Sequence, residues 1–532
     1  MDFASPLHLY LAIVSAIALI ALLTWLLVFL IRPSASRDRF RLAVPLYLKA
    51  LSKKKKHVFI GISPHSKQLA SSLLKEKNHI LFVILAPSFQ KEAEHMLREE
   101  LGSRRIVVLN GVLPLDDADS LAASIALKGL RHWLSNKKTS LYLFSRNPET
   151  NAQLLSLSTE DSSIKAKIFY YTADPNGYDA LIASTGSRIR MLNPFEMSFT
   201  ELKLDCPQLM PVHYVKKASG YVEEGLHAVV AGFGNAGQEA VRFLYEYGSF
   251  VGKDFRRMPM SIDVYDSALS DRLGSFLESA PALKEDAAIQ WHPEKAGSVH
   301  FWEHFDNTPD LRYFIIAMED GRRNIQLGIE ILKAAARCGK DLSRMLILVY
   351  DSQNTRKSRD ILDNYNAAYC PDGFSVLQSF GNARSIWNLD VVSGRKLKKN
   401  AMKLYESRKG FGKDESWDER RDRLSRPGPD SFKNRMELWR SQSTDISRAL
   451  YAPTLLALCP EGKADEKTLE YLASQEHLHW MNALAVKGYT DGPLDELNKK
   501  HPNMVPYPDI KDDKARQISL LSVKNMLQKE EC

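Results

Sequence analysis

Cysteine and catalytic signatures are both scarce in this chain of 532 residues. The five cysteines form no C-x-x-C pair and show no zinc spacing, a pattern typical of a reducing compartment rather than of a disulfide-stabilised secreted protein. The chain also lacks G-x-S-x-G, H-E-x-x-H and P-loop lysine motifs, so it predicts neither a catalytic residue nor a metal site. We therefore expect a protein that binds and signals rather than an enzyme.

Long hydrophobic runs are absent except near the beginning of the chain. Residues 9–31 carry no charge and are long enough to span a bilayer with some tilt. A cleavable signal peptide is the alternative, but the preceding residues lack a basic group and no A-x-A-like site follows the run. The whole chain is 44% apolar and 26% charged, as globular proteins are, so we predict one transmembrane helix attached to a soluble body.

The predicted soluble body has almost no net charge, because residues 32–56 carry the net positive charge of the chain. This basic juxtamembrane collar holds nine basic residues and one acidic residue, and its net charge of +8 equals the formal net charge of the whole chain. Basic residues favour the cytoplasmic side, so we predict a single-pass protein of the inner or cytoplasmic membrane with its N-terminus outside and its body in the cytoplasm. The collar is expected to contact anionic lipid headgroups of the bilayer, and the near-neutral body gives no support for a nucleic-acid partner.

After the collar, short apolar runs alternate with helical segments in two successive series. The predicted strands lie at 57–62, 80–85, 105–111, 140–145, 167–172 and 188–193, and then at 227–233, 261–266, 313–318, 345–351 and 374–380. Continuous apolar strands separated by helices indicate parallel sheets that are covered on both faces. The predicted fold class is therefore α/β, with two tandem doubly wound Rossmann-like domains over residues 57–215 and 225–390.

The composition changes beyond the second series. Residues 391–465 are charged and are interrupted by glycine and proline, which indicates a linker or helical arm that need not be ordered. Residues 466–532 are expected to form a small, mainly helical C-terminal module.

The most specific local motif is a glycine loop that includes Gly232, Gly234, Asn235 and Gly237, between a predicted strand and a predicted helix. Such glycines allow a tight turn and the close approach of a pyrophosphate, which the N-terminus of the helix stabilises. Asp266 ends the next strand, where an acidic residue binds ribose, although it follows Gly232 by 34 residues instead of about 20. NAD or another adenine nucleotide is therefore the predicted cofactor. The alternative is that the glycines serve only the packing of helix against strand.

The equivalent loop of the first series, residues 61–67, has one glycine, so its phosphate site is expected to be lost. We interpret His65 in this loop as a turn residue rather than a ligand.

The sequence Glu476-His477-Leu-His479 raises the question of metal binding. Two histidines separated by one residue lie on different faces of a helix, so a structural role is favoured.

The two α/β series resemble the TrkA-N family, the regulator of potassium conductance (RCK) domains. The stretch GFGNAGQEAV matches the glycine loop of that family, and FIIAMEDGRRNIQLG is similar to its strand followed by a nucleotide-contacting turn. The resemblance covers roughly residues 57–390 and implies that Met318, Glu319 and Asp320 face the nucleotide. An ordinary strand-to-helix turn is the alternative for these three.

The C-terminal stretch resembles a ryanodine receptor (RyR) repeat domain. The matching segments are EHLHW, KGYTDGP and KKHPNMVPY, over about 60 residues, although that family usually has tryptophan where Tyr489 stands. The resemblance implies a ligand surface that includes Trp480, Tyr489, Lys500, His501 and Tyr507. We expect Trp480 to belong to the core, and His501 and Tyr507 to lie at the surface.

The combination resembles bacterial TrkA-RyR membrane proteins, which implies a receptor for a nucleotide-derived signal, in antiphage defence. The leading hypothesis is a membrane-anchored sensor and effector that signals through homo-oligomerisation of its membrane helices. A regulatory subunit of a potassium channel or transporter and an NAD-dependent oxidoreductase are the alternatives.

Overall fold

The computed structural model describes most of the chain beyond residue 54. The described residues are 55–76, 78–84, 106–110, 130, 133–145, 148–173, 188–218, 220–370, 373, 375–408, 415–426, 428–459 and 464–527. The predicted transmembrane helix at 9–31 lies outside them, as does the collar at 32–56 apart from its last two residues. Lys56 belongs to the first strand rather than to the collar and is buried. Within the described ranges, no helix combines the length and the hydropathy that crossing a membrane requires.

The described residues fall into two compact units. One takes in the residues up to Ser63 and those from Leu74 to Lys167, and the other takes in Pro64–Leu73 and everything from Ile168 onward. The domain boundaries expected from the sequence do not coincide with these units.

The first unit is built on parallel strands. Its strands are β1 (Lys56–Ile60), β2 (His79–Ile84), β3 (Ile106–Asn110) and β4 (Thr139–Leu143). Their order is β3-β2-β1-β4. Phe59 of β1 is fully buried and its ring stacks on Phe82 and Tyr142 of the neighbouring strands, so the apolar runs of the sequence form the core as predicted.

The second unit contains a complete doubly wound sheet. Its strands are β5 (Lys167–Tyr171, which begins at the unit boundary), β6 (Ile189–Leu192), β7 (Lys217–Ala218), β8 (Tyr221–Val222), β9 (His227–Ala231), β10 (Ser261–Tyr265), β11 (Ile289–His292), β12 (Leu311–Ile316), β13 (Leu346–Tyr350), β14 (Leu377–Phe380), β15 (Thr490–Asp491) and β16 (Lys500–His501). The main sheet has the order β11-β10-β9-β12-β13-β14 with every pair parallel. In this order the strand sequence switches from one side of β9 to the other, and a doubly wound sheet has its crevice at that switch point, between β9 and β12.

The helices of the described residues cover the sheets and form the C-terminal part. They are α1 (Pro64–Lys75), α2 (Pro148–Glu160), α3 (Pro194–Asp205), α4 (Asn235–Tyr247), α5 (Leu269–Ser279), α6 (Val299–Asn307), α7 (Gly321–Arg337), α8 (Arg356–Tyr369), α9 (Ala383–Ile386), α10 (Leu389–Ser393), α11 (Arg395–Glu406), α12 (Trp417–Leu424), α13 (Ser431–Leu458), α14 (Glu466–Ala485) and α15 (Asp513–Leu527).

The strands predicted from apolar runs are present within a few residues of the expected bounds. The prediction missed β11, because IQWH is short and only its first residue is buried, so it does not form a continuous apolar run. The α/β class and the parallel Rossmann-like sheet are therefore confirmed.

The segment 391–465, expected to be a linker or helical arm, contains a packed helix of 28 residues, α13. The segment also contains a buried ion pair: the guanidinium of Arg408 and the carboxylate of Asp445 are paired, with both side chains almost fully buried. A high charged fraction therefore does not indicate disorder here.

Helix α14 joins the C-terminal part to the main sheet through side-chain bonds to backbone groups. Gln475 accepts from the amide of Val251 at 2.9 Å and donates to the carbonyl of Ser249 at 3.0 Å. Asn482 donates to the carbonyl of Tyr245 at 3.0 Å. Because buried backbone groups need hydrogen-bond partners, the C-terminal helices are an integral part of this domain.

The buried carboxylate of Glu246, at the end of α4, lies in this interface. His479 Nε2 is 3.2 Å from it, the hydroxyl of Ser447 donates to it, and Lys203 Nζ is 3.6 Å away. Burial alone would raise the pKa of Glu246, but Lys203 and the hydrogen bond from His479 outweigh burial and hold that pKa well below its usual range. We call these four residues the Glu246 cluster.

The pKa of His479 is lowered, chiefly by complete burial and against the attraction of Glu246. His479 is thus a neutral donor in the fold, while an unfolded histidine has a pKa of about 6.5.

We expect the unfolding midpoint of the full chain to fall as the pH is lowered from about 8 to about 5.5. The unfolded state binds a proton that buried His479 does not, so its stabilisation is complete above the unfolded pKa and is lost below it. His479→Gln should reduce this decline, and the other buried histidines should maintain the remainder. Urea titrations at both pH values measure it; the same decline in both proteins would contradict the assignment.

Candidate functional site

Two of the three glycines in the loop after β9 are required by packing. Gly232 has φ +96°, and a Cβ there would lie 2.8 Å from the amide nitrogen of Met318. A Cβ on Gly237 would lie 1.9 Å from the carbonyl oxygen of Gly232. These two glycines therefore let the loop and α4 approach the sheet closely.

Packing does not require a glycine at position 234, where the residue is Gly234. A Cβ there would meet only the Arg272 guanidinium, at 3.6 Å, which is ordinary contact, and its φ of −66° suits any residue. It is the N-cap residue of α4, and no described side chain caps that end. The space above Gly234 thus lies against a helix N-terminus whose amides and dipole favour an anion.

Asp266 lies beside the loop and braces it. Its carboxylate accepts from the amide of Phe233 at 2.6 Å and from the amide of Ala268 at 2.7 Å, with Arg272 Nη1 at 3.8 Å. The long spacing in sequence is explained by the segment between Tyr247 and Ser261, which separates α4 from β10. The sequence prediction therefore placed Asp266 at the right edge of the sheet.

The side chain of Asn235 is already engaged. Its amide donates to the carbonyl of Ala173, beyond β5, at 2.6 Å. A ligand contact from the Asn235 side chain would use its amide oxygen or its second amide hydrogen.

The turn after β12 lies directly against the loop. The amide of Met318 donates to Asn324 Oδ1 at 3.0 Å, while Glu319 and Asp320 are exposed. Asp320 caps α7 by accepting from the amide of Arg322 at 2.9 Å. Their contact with a nucleotide stays a prediction.

Sequence reasoning missed Asn324, which is fully buried. Its amide donates to the carbonyls of both Met318 and Tyr350, at 3.0 and 2.9 Å, and so ties β12 to β13 at the edge of the crevice. Asparagine is unfavourable inside a helix. Its presence in the predicted helix was the sequence feature that could have indicated a special role for Asn324.

His65 is not a turn residue as expected, because it lies in the first turn of α1. Its ring stacks on Trp387 at 4.9 Å, and burial lowers its pKa. Its role is structural.

The residues assigned to a ligand surface in the C-terminal module are mostly buried. Trp480 is 7% exposed, which confirms the core prediction, and Tyr489 is fully buried with its hydroxyl donating to Glu496. Tyr507, expected at the surface, is 8% exposed and packs in the main core, so that expectation was wrong. His501 is half-buried and Lys500 is exposed. The Tyr507 ring packs inward against His477.

The two histidines of the EHLHW stretch are structural. His477 is buried with its Nε2 2.9 Å from the carbonyl oxygen of Val505, and His479 belongs to the Glu246 cluster. In the part of the chain that the structure describes, no group of three or more metal-ligating side chains is arranged to hold a metal.

No protein-family model and no curated protein matches this chain. Among solved structures, it is similar to the GsuK channel, with 15% identity over 65% of this chain and 71% of that chain, at a TM-score of 0.37. The GsuK channel bound to NAD matches with 14% identity over 74% of both chains, and the GsuK RCK domain with 13% identity over 65% of this chain and 78% of that one, each at a TM-score of 0.37. Similarity this low carries no argument about function, and the TrkA-N and RyR assignments stay predictions.

Gly237→Ala should destabilise the chain by about 3 kcal/mol, because its methyl group would overlap a backbone carbonyl. Gly234→Ala should cost about 1 kcal/mol or less, since only the weaker cap preference is lost. Denaturant unfolding of both variants measures the contrast. Equal losses would show that Gly234 is also a packing residue.

Tyr507→Ala should lower the free energy of unfolding by about 3 kcal/mol, as for a buried aromatic ring. Exposed Lys500→Ala is the neighbouring control and should stay within about 0.5 kcal/mol. If Tyr507→Ala left the unfolding midpoint unchanged, the ring would not be part of the core.

Proposed function

We propose that this chain is a membrane-anchored sensor that binds an adenine nucleotide, such as NAD, at the glycine loop and passes the binding event to its C-terminal helices. The observation that supports nucleotide binding most directly is the space above Gly234. Of the three loop glycines, it is the one that the packing of the protein does not require.

The residues present fit a nucleotide. Backbone amides at the beginning of α4 would hold a pyrophosphate, and the Arg272 guanidinium beside Gly234 offers a second positive group. Asp266 would accept hydrogen bonds from ribose hydroxyls while it keeps its bonds to the loop. These groups bind and orient a ligand.

Helix α4 supports the signalling part of the proposal. Its N-terminus borders the crevice, and its C-terminal end carries Glu246 into the interface with α13 and α14. A displacement of α4 on binding therefore changes the contacts of Glu246 with the C-terminal helices. The bilayer anchor, the oligomeric output and the antiphage setting stay predictions.

Binding is tested by calorimetry of the full chain in detergent with NAD, ADP and AMP. Gly234→Ala should weaken NAD binding by about tenfold or more, because a methyl group occupies the place where the backbone must approach the pyrophosphate. Gly274→Ala is the matched control, since a Cβ at Gly274 meets nothing within 4 Å. Absence of NAD, ADP and AMP binding by the unaltered chain, or unchanged NAD affinity in Gly234→Ala, would move the function elsewhere.

Transmission is tested by hydrogen exchange of the full chain with and without NAD. Protection should change in α14 as well as in α4, and Glu246→Gln should separate the two responses because it weakens the link to His479. If the change in hydrogen-exchange protection were confined to the crevice, the chain would bind the nucleotide without passing the binding event to its C-terminal helices.

A further inference from the structure

The turn after β13 contains two buried oxygen atoms that lack partners. Asp351 is 5% exposed, and its Oδ1 accepts from the amide of Gln353 at 3.1 Å, whereas its Oδ2 has no hydrogen-bond partner among the described residues. In the same turn, the side-chain oxygen of Asn354 is also buried without one in the described chain. The two residues between them, Ser352 and Gln353, are exposed, so the turn lies near solvent.

Two orphaned acceptors in one turn require explanation. A buried polar group without a partner costs about 1–3 kcal/mol, and more when it is charged. The partner must supply hydrogen-bond donors, and because both acceptors belong to one turn of four residues, a group that carries two donors fits.

The position of the turn connects it to the crevice. The backbone of Met318 lies against the Gly232 position, and Asn324 ties Met318 to Tyr350, the residue before Asp351. Strands β9, β12 and β13 are neighbours, so Asp351 lies about two strand spacings, roughly 10 Å, from the glycine loop along the carboxyl edge. Asp266 directly follows β10, which lies on the opposite side of β9.

The surroundings favour neutral donors over a cation. A Cβ on Gly321, the first residue of α7, would lie 3.5 Å from Asp351 Oδ1, so the carboxylate lies beside the N-terminus of that helix. The partial positive charge of that end stabilises an ionised carboxylate and opposes a metal ion. A vicinal diol supplies two neutral hydroxyl donors.

We propose that Asp351 and Asn354 bind the two hydroxyls of a second ribose, which makes the crevice selective for ligands of the ADP-ribose and dinucleotide class over mononucleotides. The inference rests on the proposed function, because it assumes a pyrophosphate on the glycine loop. The phosphates then lie between two acidic positions, with Asp266 on the first ribose and Asp351 on the second.

The test compares ADP-ribose with ADP, which differ by the second ribose, in calorimetry of the full chain with and without EDTA. The unaltered chain should bind ADP-ribose about tenfold or more tightly than ADP. Asp351→Asn, which retains the bond to Gln353, and Asn354→Gly, which retains the φ of +36°, should each remove most of that preference and leave ADP affinity unchanged. Asp360→Asn, an exposed position on α8, is the control.

Each outcome decides the inference. Equal affinity for the two ligands in the unaltered chain, or a preference that survives both variants, overturns it while nucleotide binding stands. Loss of the preference on addition of EDTA assigns the two oxygens to a cation and also overturns it. If neither ligand binds, the proposed function and this inference both fail.

Discussion

The buried carboxylate of Glu246 is the constraint on which the rest of the second unit depends. An ion taken from water into a protein interior costs several kcal/mol unless its partners are complete. Here the partners come from three other helices, with Lys203 on α3, Ser447 on α13 and His479 on α14. Separation of the C-terminal helices from α4 would remove two of these three partners, Ser447 and His479, so a module that looks independent in the sequence is part of one domain.

The same constraint changes what the distinctive C-terminal sequence means. The residues of EHLHW are all buried, and Glu476 is paired with Arg448 while His479 is paired with Glu246. Rare polar residues in a fixed order are what a buried polar network requires, because each group must find its own partner. The conspicuous pattern is thus explained by packing, whereas the proposed ligand site rests on Gly234, where an added Cβ would meet only the Arg272 side chain at 3.6 Å.

Much of the fold follows from the sequence, since buried parallel strands appear as continuous apolar runs and the glycine loop lies between such a strand and a helix. The site was only partly predictable. Asp266 could be found because strand ends meet at one edge, but Asn324 and Asp351 gave no motif, since their roles depend on contacts between strands far apart in the chain. The inward packing of Tyr507 was missed because it depends on a contact with His477 of α14, which the sequence does not show.

The contacts at the two ends of α4 differ, and this difference suits the helix to transmitting a displacement from its N-terminus to its C-terminal end. At its N-terminus, Gly234 leaves space in which a ligand can be gained without breaking an existing contact. At its C-terminal end, Glu246 is bonded to groups whose geometry tolerates only a few tenths of an ångström before the hydrogen bonds weaken. A helix of 13 residues is stiff over its length of about 20 Å. A shift of the α4 N-terminus on the proposed ligand binding would therefore reach the Glu246 cluster, where the packed core permits few alternative arrangements.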